Sequence, residues 1–249
     1  MGSSVMRSLL VRGMLVGLAA AALALLIAWI YGEPQVGHAI SFEEAQAAKE
    51  TAHAGHEEAP EVSRTVQKTT GLITALGFYG VAIGGLFAIA FALAYGRLGP
   101  FGARLTSALV ALAGFVAIEL VPFLKYPPTP PAVGNPDTIG ERTAVYFGMA
   151  ALGVLATVAA VIVCRRLIPR LGAWNAAIIS TAGFAVVVAV VYRLTPTPDA
   201  VADGFPATVL WDFRIASLGI QVVLWSTLGL LFGHLTERAF AREPAPASV

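Results

Sequence analysis

The sequence predicts an all-α fold, a polytopic membrane bundle of about six transmembrane helices. Hydrophobic residues make up 57% of the chain and charged residues only 12%, whereas soluble domains carry about 25% charged residues. Mean hydropathy is +0.76. Six apolar windows of roughly 18 to 25 residues follow one another, each long enough to cross a hydrocarbon core of about 30 Å.

The first window, residues 9–31, follows Arg7 and Arg12, a pattern shared with signal peptides. It is longer than the 7 to 15 residues or so of a signal-peptide apolar region. It also ends in Trp29 and Tyr31, which suit an interfacial anchor, so it reads as a retained helix. Residues 32–70 are polar, hold three of the four histidines and seven glutamates, and read as an extracytoplasmic loop. The second helix, 71–95, carries Gly77, Gly80, Gly84 and Gly85, small residues that let helices approach closely. The third is 105–124. A proline-stiffened connection follows, then the fourth helix at 143–164, a turn marked by Arg165, Arg166 and Arg170, and the fifth at 174–192. After a second proline-bearing connection comes the sixth, 215–235, with a tail at 240–249 whose composition reads as disordered. The whole is one integral membrane domain.

Basic residues in short loops set the orientation. Arg7, Arg12, Arg97, Arg104, Arg165, Arg166, Arg170, Arg238 and Arg242 all fall on the side holding both termini. Both termini are therefore expected in the cytoplasm, in a bacterial inner membrane, with the His/Glu loop outside. Net charge is +1, which gives no reason to expect a nucleic-acid partner. The single cysteine, Cys164, cannot form an intrachain disulfide.

Charge is sparse in this chain, and it gathers between Glu119 and Arg142 (ELVPFLKYPPTPPAVGNPDTIGER). Glu119 lies about one turn inside the third helix, where a carboxylate costs a few kcal/mol unless paired or hydrated. Lys125, Glu141, Arg142, Arg193 and Arg214 fall at similar depth and form a candidate outer charged network. Asp137 and Asp212 add carboxylates. In the outer loop, His53, His56 and Glu57 would share a face if the segment were helical, and His38 could add a ligand. Imidazole with carboxylate suits borderline divalent cations. These seven residues, His38, His53, His56, Glu57, Glu119, Asp137 and Asp212, are the candidate metal ligands. Pro122 frees a carbonyl near Ile118, beside Glu119. Gln221 is the costliest polar residue within the membrane and calls for a partner on another helix. No His-Glu-x-x-His, Gly-x-Ser-x-Gly or Walker A motif is present, so no enzyme chemistry is indicated. No resident cofactor is indicated either.

Four stretches carry a family resemblance: LLVRGMLVGLAAAALALLIAWIYGEPQVGHAI, SRTVQKTTGL, VPFLKYPPTPPAVGNPDTIGERT and FPATVLWDFRIASLGIQ. Together they resemble the CbtA family of predicted cobalt transporter subunits. The resemblance implies a cobalt permease acting with CbtB, a small single-span, histidine-bearing partner, in supplying cobalt for cobalamin synthesis. It also implies five membrane segments, against the six counted here. It brings no site residues of its own.

The expectation is thus a cobalt uptake subunit that gathers and admits the cation at its outer face, with the lipid bilayer and a CbtB-like chain as partners and self-association compatible with it. Two alternatives stay open. One is a membrane scaffold or accessory subunit that moves nothing. The other is a transporter of a corrinoid or organic anion, with Lys125, Arg142, Arg193 and Arg214 as binding groups.

Overall fold

In a bilayer every backbone N–H and C=O must be bonded within the protein, and a helix achieves this within a single segment. The computed structural model of the chain describes residues 3–50, 64–130, 138–197, 201 and 204–242, and all regular structure among them is helical. In chain order the helices are α1 (Ser3–Ile27), α2 (Glu33–Glu50), the short α3 (Arg64–Val66), α4 (Leu72–Ala94), α5 (Ala103–Gly114), α6 (Val121–Lys125), α7 (Ile139–Leu194) and α8 (Ala207–Arg242). Wider π-helical turns join α1 to α2 (Ala28–Gly32), α3 to α4 (Gln67–Gly71) and α5 to α6 (Phe115–Leu120).

Five of the resulting segments are long and apolar enough to cross a membrane, the fourth being Ile139–Leu194. That segment explains the difference from the six expected. A straight helix of its 56 residues would be about 84 Å long. Instead, Gly172 leaves helical geometry at φ 74° and ψ 163°, a backbone conformation that glycine adopts without steric cost. Val121, Met149 and Val188 share one buried cluster. Met149 and Val188 would stand about 58 Å apart on a straight helix, so the two arms must fold back on one another. They are the helices expected at 143–164 and 174–192.

The segment expected as an outer loop from residue 32 is a correction. Helix continues past Tyr31 through α2 to Glu50, because Glu43, Glu44, Gln46, Ala45, Ala47 and Ala48 are strong helix formers. Pro34 would press on the carbonyl four residues back, and the wide turn Ala28–Gly32 lies at that point. α2 is not free-standing: Ala39 is fully buried against Phe205 and Leu210, and Phe42 meets Phe205 edge-on at 5.1 Å. The last helix is also longer than its apolar window. It starts at Ala207 and ends at Arg242, so the tail expected from residue 240 begins as helix; its residues 243–249 lie outside the described ones.

The main core is built from α1, α4, α5 and α8. Phe87 and Phe91 each meet Phe232 edge-on, at 5.4 and 5.1 Å, over buried Leu9, Val16, Leu224 and Leu228. Outward faces stay apolar: Phe78 is 76% exposed, Leu155 69% and Leu230 69%. Such an apolar surface is a liability in water and the required coat in lipid. Where α1 crosses α4, Gly13 and Gly17 lie on Gly84 and Gly80 so closely that an added Cβ would run into the facing carbonyl. Gly77, by contrast, has nothing within 4 Å of such a Cβ.

Gly17→Ala should therefore destabilise the bundle by about 1–3 kcal/mol, the usual cost of overpacking, while Gly77→Ala should be neutral or mildly stabilising. Thermal unfolding of the two variants in one detergent would read the difference directly.

Candidate functional site

Pro122 cannot donate a backbone hydrogen bond to Ile118. The π turn Phe115–Leu120 lies directly before it, just as Ala28–Gly32 lies before Pro34. Single π turns within helices are often found at functional sites, and this one holds Glu119. The residue is buried, with 8% of its surface exposed.

The carboxylate stands where several helices meet. Tyr79 of α4 donates its hydroxyl to Glu119 Oε1 at 3.5 Å. Tyr146 from the first arm of α7 and Trp225 of α8 face the same carboxylate. Gln221, one turn before Trp225, faces Tyr79. Trp225 Nε1 and Gln221 Oε1 are buried without a hydrogen-bond partner among the described residues. The surrounding groups are thus phenols, an indole and an amide, all uncharged. Close backbone contacts hold the frame. A Cβ on Gly153 would strike the Ala117 carbonyl, and one on Gly114 would strike the Trp225 ring.

On the face opposite the termini, a cleft of about 380 Å³ opens between the proline connection, the first turns of α7, the residues just after its end and the start of α8. Glu141, Arg142, Arg214 and Tyr146 are among its lining residues. Tyr146 is therefore the side chain shared by the cleft and the Glu119 site. Three hydrogen bonds hold the rim: Tyr126 donates to the Pro196 carbonyl at 2.6 Å, Lys125 to the Tyr192 carbonyl at 2.9 Å, and Arg214 Nε to the Pro128 carbonyl at 3.4 Å. The Tyr192 hydroxyl donates to the Val121 carbonyl.

The expected site residues thus separate into groups. Glu119 and Gln221 belong to one buried polar site. Glu141, Arg142 and Arg214 converge on the cleft. Lys125 is tied to a backbone carbonyl, away from the carboxylate that its position in sequence suggested. Arg193 and Asp212 are exposed, and Asp212 is about 14 Å along α8 from Gln221 at the standard helical rise. His38 is exposed on α2. His53, His56, Glu57 and Asp137 lie outside the described residues. Among the described residues no three of His, Cys, Asp and Glu come together. Any cation at Glu119 would therefore draw its other ligands from hydroxyl, amide and backbone oxygens or water.

Tyr79, Tyr146 and Trp225 were not singled out from the sequence. Trp225 was accessible to that reasoning, since it follows Gln221 by one turn and shares its face. The tyrosines carried a weaker signal, a hydroxyl in an apolar segment that must find a partner.

A bundle of apolar helices, five of them long enough to cross a membrane, defines a multi-pass integral membrane protein. Residues 6–237 match the family model described as "Probable cobalt transporter subunit (CbtA)". The chain belongs to the CbtA family. A subunit implies at least one partner component. Comparison with curated proteins and with solved structures gave no match.

Trp225 is 5% exposed, whereas Trp29, Trp174 and Trp211 are well exposed. With those three replaced by Phe, Gly114→Ala should shift the Trp225 emission maximum to the red and raise acrylamide quenching, because the ring must leave its seat. Glu119→Gln, nearly isosteric, leaves the ring in its seat and should leave acrylamide quenching unchanged.

Proposed function

We propose that this chain is the membrane subunit of a cobalt uptake transporter in the bacterial inner membrane, with both termini cytoplasmic and a small single-span chain of the CbtB kind as partner. The divalent cation is gathered at the extracytoplasmic face, enters the cleft and is received at Glu119.

One observation carries this reading: a buried carboxylate among neutral polar groups, with Tyr146 facing both it and the cleft. A charged group taken out of water costs several kcal/mol unless it is compensated. Uncharged hydrogen-bond donors offset part of that cost, and an arriving cation would offset more. A hydrated divalent ion must in turn replace the waters it sheds with oxygen or nitrogen ligands. The Glu119 carboxylate and the unpartnered Gln221 Oε1 supply two such oxygens. The Tyr79 and Tyr146 hydroxyls are further candidates.

Gathering falls to the histidines and carboxylates of the outer segment. α2 carries His38 and rests on Leu210, one turn before Arg214 at the cleft. His53, His56 and Glu57 follow it in sequence. The contact of α2 with α8 near the cleft supports a collecting role for this segment.

A second reading rests on its own observation. Two guanidinium groups, Arg142 and Arg214, line the cleft with one carboxylate, Glu141, among the described lining residues. That balance favours an anionic solute, such as a corrinoid or an organic anion, over a free dication.

Radioactive cobalt uptake separates the two readings, in cells lacking other importers and expressing the chain with or without the single-span partner. On the cation reading, Glu119→Gln should cut uptake about tenfold or more, the factor that follows from losing ~1.4 kcal/mol at the site. Arg214→Gln should leave uptake within about twofold on the same scale. The reverse pattern would favour the anion reading. No uptake from protein shown to be in the membrane would point to a scaffold or to a different solute.

The collecting role has a separate signature. Replacing His38, His53 and His56 with Gln spares the Ala39 and Phe42 packing. It should lower uptake at limiting cobalt and leave the saturating rate unchanged.

A further inference from the structure

The face carrying the termini holds a second cleft, larger and of different chemistry. It has a volume of about 770 Å³ and runs between the first turns of α1 and the last turns of α8. Four arginines line it: Arg7 and Arg12 from α1, Arg238 and Arg242 from α8. No carboxylate is among the lining residues that the structure describes. Two other arginines on this face are engaged elsewhere. Arg104 pairs with Glu237 at 3.1 Å, and Arg97 donates to the Leu93 carbonyl at 3.0 Å. Arg12 is positioned by Thr236 Oγ1 and Ser8 Oγ, each at 3.4 Å, and so clamps α1 to α8 at the cleft floor.

The lining changes character with depth. Arg7 and Arg242 stand at the outer end, while Leu15 and Leu235 lie deeper on the same two helices. Leu15 is 61% exposed and Leu235 37%. From Arg7 to Leu15 the helix rises about 12 Å. That exceeds the roughly 5–8 Å that the headgroup layer occupies on each side of the hydrocarbon core. A ligand filling the cleft therefore meets converging cations at one end and an open apolar wall at the other.

We propose that this cleft is a binding site for an anionic phospholipid, its phosphate held by Arg7, Arg238 and Arg242 and its acyl chain laid along Leu15 and Leu235. The charge complementarity and the apolar gradient select a lipid over a soluble anion, which would use only half of the cleft. A topology-setting cluster of arginines needs no such convergence: the arginines on the α7 turn, Arg165, Arg166 and Arg170, sit outside this cleft. Occupancy would tie α1 to α8 across the open end of their packing.

Native mass spectrometry of the full-length protein, released from detergent and titrated with phosphatidylglycerol, phosphatidylcholine of the same acyl chains or inorganic phosphate, tests the site. One phosphatidylglycerol should bind with clear preference over phosphatidylcholine, and inorganic phosphate should not compete at equal concentration. Each arginine near an anionic headgroup contributes roughly fivefold in affinity. R7Q/R238Q/R242Q should therefore weaken phosphatidylglycerol about 100-fold and leave phosphatidylcholine unchanged. R165Q/R166Q/R170Q, with the same loss of charge, should bind as wild type does. Equal wild-type binding of the two lipids would overturn the proposal without any variant. So would full competition by inorganic phosphate, or equal losses in the two triple variants.

Discussion

A proline inside a membrane helix removes a backbone donor and pushes its ring towards the carbonyl four residues back. Lipid can neither bond the freed carbonyl nor hydrate it. This chain meets the problem at Pro34 and Pro122 in the same way, with a wide turn ending two residues earlier. Much of what distinguishes the protein depends on those two turns. The first lets α1 run on into the outer helix α2. The second carries Glu119 into the interior, where α4, α7 and α8 present their polar side chains.

The environment of that carboxylate is informative because it is neutral. A carboxylate fixed in a buried ion pair is already compensated, and admitting a cation means breaking the pair. The Tyr79 phenol instead stabilises the group in part, with further neutral groups close by, and leaves it able to respond to an arriving charge. The glycines around it serve the same end. Gly114 makes room for the Trp225 ring and Gly153 lets α7 rest on the Ala117 backbone. Both contacts fix donors on other helices relative to Glu119, and such close approach is how membrane helices gain contact without a hydrophobic drive between them.

The two faces of the bundle are chemically distinct. At the proline-rich face, guanidinium groups and a carboxylate share a cleft, and much of the hydrogen bonding runs to backbone carbonyls. At the terminal face, arginines converge without acidic partners among the described lining residues. An open cleft of mixed charge can admit and release a solute. A cleft lined by arginines and grading into an apolar wall suits a lipid that stays.

The sequence by itself determined the class of protein, the positions of the apolar windows and the cost attached to Glu119. Window length and the cost of an unpaired charge in lipid are local properties, readable from any stretch of chain. It also marked the turn between residues 164 and 174, through its arginines, and so counted two crossings where the helix runs continuously except at Gly172. What lay beyond it was which groups meet. Lys125 is near Glu119 in sequence, yet its ammonium reaches the Tyr192 carbonyl. Tyr79, Tyr146 and Trp225 lie 27 to 106 residues away in sequence and face the carboxylate. The outer charges likewise split between a cleft and open surface. These outcomes depend on how α4, α7 and α8 rotate against the third span. Close contacts at Gly114 and Gly153, made only when the helices pack, set that rotation.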